Sequence, residues 1–310
     1  MKSEIEKIVD ALDKLNLEKK RISTSRAYKL SNKILVFKHY LKCFDIKGLW
    51  NVAKKNINEK KISKKRKQYE IIPEKIENKN FGIVRNKKIV VYTCITGNYD
   101  IPCTPIFCPD NVTYILFTNS EKKAEGWINK PIPEKINKLN DNILINRYIK
   151  LNPHEIFKND DYDYSIYIDG NIRTMSDISG FINMINENVG IAMFKHHTRK
   201  CIYIEEKVLN IYGKGNKEKL ECQVQKYRKD GFPENFGMLE GNVIVSDLKS
   251  INSMKILNEW WKEFKDSESL RDQMSLPYVL WKLNYLIEDV GTLGNDVYSC
   301  PKFEFIKHLK

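Results

Sequence analysis

The chain has 310 residues, of which 42% are hydrophobic and 11% aromatic, enough to bury a sizeable core as one large domain or two modest ones. Its net charge of +13 is unevenly held: residues 1–80 carry 22 Lys and Arg against 10 Asp and Glu, and the other 230 carry 31 against 30. No apolar run approaches the roughly 18 residues that cross a bilayer. Glu4 and Glu6 interrupt the basic-then-apolar order of a signal peptide. The seven cysteines are odd in number and scattered, and no second close pair joins Cys103 and Cys108 to complete a zinc site, so reduced thiols in a cytoplasmic protein are expected.

The charge division predicts two parts: a basic helical segment with a linker over residues 1–80, and an electrically neutral body over 81–310. Ser3 and Glu6 have capping-box spacing, followed by Ile5, Ile8, Val9, Leu12 and Leu15 at helical intervals. A second helix starts near Ser23–Ser25 and carries Leu30, Ile34, Phe37 and Leu41 on one face, flanked by Lys29, Lys33, Lys38 and Lys42. A third, short helix holds Leu49, Trp50, Val52 and Ile57, and the lysine-rich run 60–67 reads as a solvated linker. Such helices suit either a cap docked on the body or an anionic membrane surface. Nothing in them has a nucleic-acid-binding signature.

From residue 87 the pattern changes. Residues 89–95 and 112–119 are β-branched, apolar runs that read as strands. A loop containing Trp127, Pro131 and Pro133 leads to a helix over 143–151, then a strand over 162–168, a helix near 178–188 and a strand over 190–194. A further strand ends the stretch 237–245, a helix holds Trp260 and Trp261, and another opens at Arg271. Alternation of this kind predicts an α/β fold with a mostly parallel sheet. The central strand stops abruptly at Asp169-Gly170-Asn171. A carboxylate and an amide at the carboxyl end of a buried strand lie where open α/β sheets bind ligands. They suit a divalent cation holding a diphosphate, although the same triplet also closes an ordinary turn.

Five segments in order resemble a known family. They are 91–100 (Val-Tyr-Thr-Cys-Ile-Thr-Gly-Asn-Tyr-Asp), Arg147-x-x-Lys150-x-x-Pro153-His154, 167–172 (Tyr-Ile-Asp-Gly-Asn-Ile), Arg199-x-Cys201-x-Tyr203-x-Glu205-Glu206, and 271–282 opening Arg-Asp-Gln. The arrangement resembles the glycosyltransferase-like domain shared by bacterial polysaccharide-synthesis proteins and plant mucilage-related and turgor-regulation proteins. The resemblance implies a glycosyltransferase-A-like, Rossmann-like fold and a nucleotide-sugar donor. It implies that Asp169 and Asn171 meet Mn²⁺ or Mg²⁺; related enzymes commonly carry Asp-x-Asp there, so this chain has one charge fewer. Thr93, Thr96 and Asp100 would line the nucleotide, and Arg147 and Lys150, three apart on one helix face, the diphosphate.

His196, Arg199 and Glu205 would contact the acceptor, with Glu240 orienting its hydroxyl. Asp272 and Gln273 would sit beside the anomeric carbon, with Asp272 as general base or as a stabiliser of the oxocarbenium-like state. Asp272 at a helix start is equally a standard cap. His308 would close over the site as a terminal histidine, and Trp260, Trp261 and Trp281 are either core or sugar-stacking. The expectation is a cytoplasmic transferase, peripheral on the inner membrane face, acting on a glycan or lipid-linked glycan. A metal-dependent lipid hydrolase of ceramide type and a non-catalytic glycan-binding scaffold remain as alternatives.

Overall fold

A computed structural model describes residues 2–71 and 79–307. Three helices come first: α1 (Glu4–Thr24), α2 (Arg26–Lys42) and α3 (Ile46–Lys67). The Ser3–Glu6 capping box closes the start of α1, and Ser25 caps α2. The lysine run 60–67 is not a linker but the last turns of α3, where consecutive Lys and Arg are good helix formers. The linker expected beyond it falls partly on 72–78, outside the described residues, as does His308.

The body follows as β1 (Ile89–Ile95), β2 (Val112–Thr118), β3 (Ile128–Pro131), α4 (Glu134–Asn137), α5 (Asn142–Leu151), α6 (Pro153–Ile156), β4 (Tyr164–Ile168) and β5 (Ile172–Thr174). It continues through β6 (Ile191–Lys195), α7 (Ile202–Tyr212), α8 (Lys217–Lys229), β7 (Leu239–Asp247), α9 (Ile251–Ser267), α10 (Asp272–Lys282), β8 (Gly291–Gly294) and β9 (Phe303–Phe305). The helix expected near 178–188 is a 3₁₀ turn over Ser179–Met184, and β3 lies in the stretch read as a loop.

Seven strands form one sheet in the order β3-β2-β1-β4-β7-β6-β8, and β5 and β9 form a separate pair. Six strands of the large sheet run one way; β7 alone opposes its neighbours β4 and β6. Each face of the sheet buries a core. One packs Val90, Tyr92 and Tyr167 against Ile149 of α5, Trp260 of α9 and Leu280 of α10. The other packs Ile89, Val91 and Ile166 against Phe181 and Phe303. Burial on both faces is why β1 and β4 read as unbroken apolar runs. Trp260 is fully buried and Trp261 and Trp281 pack against the core, so all three indoles are core residues.

The winding places the crevice. From β1 the chain moves outward to β2 and β3, then returns to lay β4 on the other side of β1. The carboxyl ends of β1 and β4 therefore diverge into the topological switch point where open α/β sheets bind ligands. Because β7 is antiparallel, its first residues lie at that same edge: Leu239 pairs with Lys195, and Val243 with Ile168.

Candidate active site

Asp169 follows the last residue of β4, and its backbone N–H donates to the carbonyl of Asn242 at 2.9 Å. Ile172 N–H donates back to the Asp169 carbonyl at 2.9 Å, closing a tight turn around Gly170 and Asn171. A side chain at Gly170 would put its Cβ 2.6 Å from Ile95 Cγ1, so the turn needs glycine for closeness of approach to β1. Asp169 is partly exposed; its Oδ1 accepts from the Tyr167 hydroxyl at 3.0 Å and lies 4.0 Å from Lys150 Nζ. Asn171 is stitched to the C-terminal segment: its Nδ2 donates to the Ile306 carbonyl at 3.2 Å, and Ile306 N–H donates to the Asn171 carbonyl at 2.8 Å.

Of the residues expected around the nucleotide, Thr93 lies inside β1, with a buried hydroxyl that has no hydrogen-bond partner among the described residues and would stand 3.8 Å from a Cβ at Gly170. Thr96 donates to the Asn142 carbonyl at 3.0 Å at the mouth of α5. Asp100 is buried in the loop beyond it.

Behind Asp169 lies a buried charge cluster. Arg147 and Lys150 project from one face of α5 onto Asp272 at the start of α10, Arg147 Nε at 3.1 Å and Lys150 Nζ at 2.5 Å. Asp272 is the first residue of α10 and Arg271 holds the cap position, with no side-chain capping bond there, so Asp272 is not the helix cap. Gly241 on β7 admits the cluster: a Cβ there would meet Lys150 Nζ at 3.2 Å and Asp272 Oδ2 at 3.5 Å. Lys150 Nζ also lies 5.1 Å from the centre of the Tyr167 ring. Burial works against the Asp272 charge, but Arg147 and Lys150 override it and hold the carboxyl well below its ordinary range. Burial likewise opposes the Arg147 charge, and Asp272, with Tyr167 and Asp169, raises it nonetheless. A carboxylate gripped by two cations is a poor proton acceptor, so the geometry counts against Asp272 as a general base.

The third group gathers at β6 and β7. A register shift between Met193 and Phe194 brings Phe194 opposite Glu240, and His196 and His197 follow just beyond Lys195, the last residue of β6. The two imidazoles stack with ring centres 5.2 Å apart, and His197 Nδ1 donates to Glu240 Oε1 at 2.9 Å. Among the described residues these three form a metal-competent set, with ligand atoms within 4.8 Å of one another. Gln273 spans the gap to α10, donating to the Leu239 carbonyl at 2.8 Å and to Glu240 Oε2 at 3.4 Å. Burial pushes His196 down to about 4, so its ring is neutral near pH 7. For Glu240 burial is outweighed by His197 and His196, and its carboxyl is lowered.

Arg199 and Glu205 are among the residues expected at the acceptor. They form a buried ion pair with each other, and Arg199 also reaches His196 Nε2 at 3.0 Å. They hold the histidine in place. Tyr298 was not singled out from the sequence, yet its ring meets His197 edge-on at 5.2 Å, and burial, with the charges of Glu240 and Asp169, raises its hydroxyl above the ordinary tyrosine range. No local pattern in the sequence marks it.

A family model described as TOD1/MUCI70, glycosyltransferase-like domain, matches residues 61–295, beginning inside the last turns of α3. No curated protein matches the chain. Similar solved structures include the apo bifunctional glycosyltransferase WbbM, at 13% identity over 68% of this chain and 40% of that one, with a TM-score of 0.42. Others are apo mouse xyloside xylosyltransferase 1 (10% identity, 66% and 83% covered, TM-score 0.37) and core-mannan synthase A of Aspergillus fumigatus in its Mn/GDP form (10%, 74% and 82%, 0.41). The chain thus spans well under half the length of the first of these.

Proposed function

The chain belongs to the TOD1/MUCI70 glycosyltransferase-like domain family, and on that footing we propose that it transfers a sugar from a nucleotide-sugar donor to a glycan acceptor, assisted by Mn²⁺ or Mg²⁺. The observation that carries this reading is the buried cluster of two cations and one carboxylate, Arg147, Lys150 and Asp272, placed beside Asp169 at the switch point. Transfer leaves negative charge on the departing diphosphate. The single positive charge in excess within the Arg147, Lys150 and Asp272 cluster is already fixed in place and stabilises it without reorganisation. In this scheme Asp272 is a positioning residue that orders both cations. Glu240, held by His197 and Gln273, faces the acceptor side.

The donor atoms present fit a hard divalent ion. Asp169 keeps one carboxylate oxygen free of the Tyr167 bond, and Asn171, whose amide nitrogen is engaged by Ile306, keeps its amide oxygen. When bound, the ion neutralises diphosphate charge. The set His196, His197 and Glu240 offers a second place, of the mixed nitrogen and oxygen type that transition ions favour.

The test is thermal stabilisation by a series of nucleotide sugars, with and without Mn²⁺. The expected result is a metal-dependent rise for one donor class, abolished by Asp169→Ala and retained in Glu240→Gln. Loss in Glu240→Gln with retention in Asp169→Ala would move the ion to the histidine set. No stabilisation by any nucleotide would overturn the transferase reading.

The histidine set favours one second reading, a metal-dependent lipid hydrolase, because two imidazoles and a carboxylate also form catalytic hydrolase sites. Fatty acid release without consumption of a nucleotide sugar would support that reading against the transferase.

A further inference from the structure

We propose that α2 and the first half of α3 form a docking surface for an anionic lipid bilayer. The α2 helix buries none of its residues. Leu30, Ile34, Phe37 and Leu41 fall within one narrow arc of it, and all four are 46–60% exposed. Lys29 and Lys33 flank that arc on one side, and Lys38 and Lys42 on the other, the placement in which long basic side chains reach headgroups while the stripe enters the acyl boundary. At the turn into α3 the apolar surface continues: Phe44 is 91% exposed, Ile46 79% and Trp50 71%. Phe44 has φ +52°, a left-handed conformation uncommon for an aromatic residue, in the turn between α2 and α3.

Exposed apolar side chains this dense and contiguous mark an interaction surface. The charge identifies the occupant. Residues 26–67 carry 14 Lys and Arg against Asp45 and Glu59 alone, so two copies of this surface would repel one another, while an anionic bilayer matches both its charge and its apolar stripe. The flanking helices anchor the surface to the body. Asn16 of α1 donates to the Pro301 and Phe303 carbonyls, and Lys20 to the Tyr298 carbonyl at 2.8 Å. At the far end of α3, Arg66 donates to the Tyr212 hydroxyl at 2.6 Å. The body is thereby held at a set distance from the lipid, with Tyr298 of the candidate site on the tethered segment.

The experiment is co-sedimentation of the full chain with vesicles of phosphatidylcholine alone or mixed equally with phosphatidylglycerol. Binding to the mixed vesicles alone is expected. Phe44→Ser with Trp50→Ser, and separately Lys29, Lys33, Lys38 and Lys42→Gln, should each weaken it by at least about tenfold. These side chains are exposed, so unfolding midpoints should match the parent and exclude a folding defect. No binding to mixed vesicles, or equal binding by both variants, overturns the proposal. A dimer in lipid-free solution that Phe44→Ser with Trp50→Ser dissolves would assign the surface to a second copy instead.

Discussion

Lys150 and Asp272 lie 122 positions apart in sequence and 2.5 Å apart in space, both almost fully buried, and Arg147 completes the group from one turn earlier on α5. Removing the carboxylate leaves the part-buried Arg147 and the buried Lys150 with only the partly exposed Asp169, 4.0 Å from Lys150, as counter-charge. Asp272→Ala should therefore cost about 3–5 kcal/mol, the range for breaking a buried ion pair from one side. Urea unfolding measures it, and a loss below about 1 kcal/mol, the worth of a surface pair, would mean the cluster is hydrated.

The same carboxylate fixes a sign for acid stability. Asp272 titrates lower in the folded protein than in the unfolded chain. Its contribution is therefore complete above the unfolded carboxylate value of about 4 and is lost as the pH falls from there towards the folded value. Between pH 5 and 3, taken here as roughly bracketing that unfolded value, the parent should lose stability more steeply than Asp272→Asn. The chemistry follows the same logic: an acid limb in a pH–rate profile at mildly acidic pH reports some group other than Asp272. Parallel stability curves for parent and variant would show that the pair does not act through its charge.

Gly170 gives a prediction that separates contact from backbone freedom. Its φ is not positive, so an alanine there is crowded by the Ile95 side chain, at 2.6 Å, and meets Thr93 Oγ1 only at an ordinary contact distance of 3.8 Å. Gly170→Ala should cost about 1–3 kcal/mol as overpacking and tilt Asp169 off its turn. Ile95→Ala alone also destabilises, by opening a cavity. Combined, the two should cost less than their sum, with metal-dependent donor stabilisation partly restored. Strict additivity in a melting series would place the need for glycine elsewhere.

How far the site could be read in advance depended on whether it was local. Asp169, the turn after it and the strand before it announce themselves in six consecutive residues, because burial on both faces and a breaker are local properties. Arg147 and Lys150 share a helix face by spacing alone. The partnership of both with Asp272 has no local signal: it arises because α5 and α10 pack on one face of the sheet and Gly241 leaves room between them. For Arg199 and Glu205 the resemblance implied acceptor contacts, and their pairing with each other, which satisfies two largely buried charges, appears only in the structure. The His196–His197–Glu240 set depends on a register shift between β6 and β7, and a one-residue change of that kind cannot be read from either strand alone.

Asn16 links the basic helices to the candidate site through the C-terminal segment. It is buried on α1 and donates to the carbonyls of Pro301 and Phe303, on either side of Lys302, whose Nζ pairs with Asp13 at 2.6 Å. That segment then forms β9, pairs with β5 and ends with Ile306 bonded to Asn171. Asn16→Ala leaves two carbonyls unmet and should cost about 1–3 kcal/mol. The loss should be concentrated in one place. Amide exchange should accelerate at Ile306 and at Met175, which donates to the Lys302 carbonyl, while β1 and β4 keep their protection. Donor affinity should weaken with it, because Asn171 loses the support that orients its amide. Uniform acceleration across the sheet would instead show that α1 stabilises the body as a whole and has no particular hold on the rim of the site.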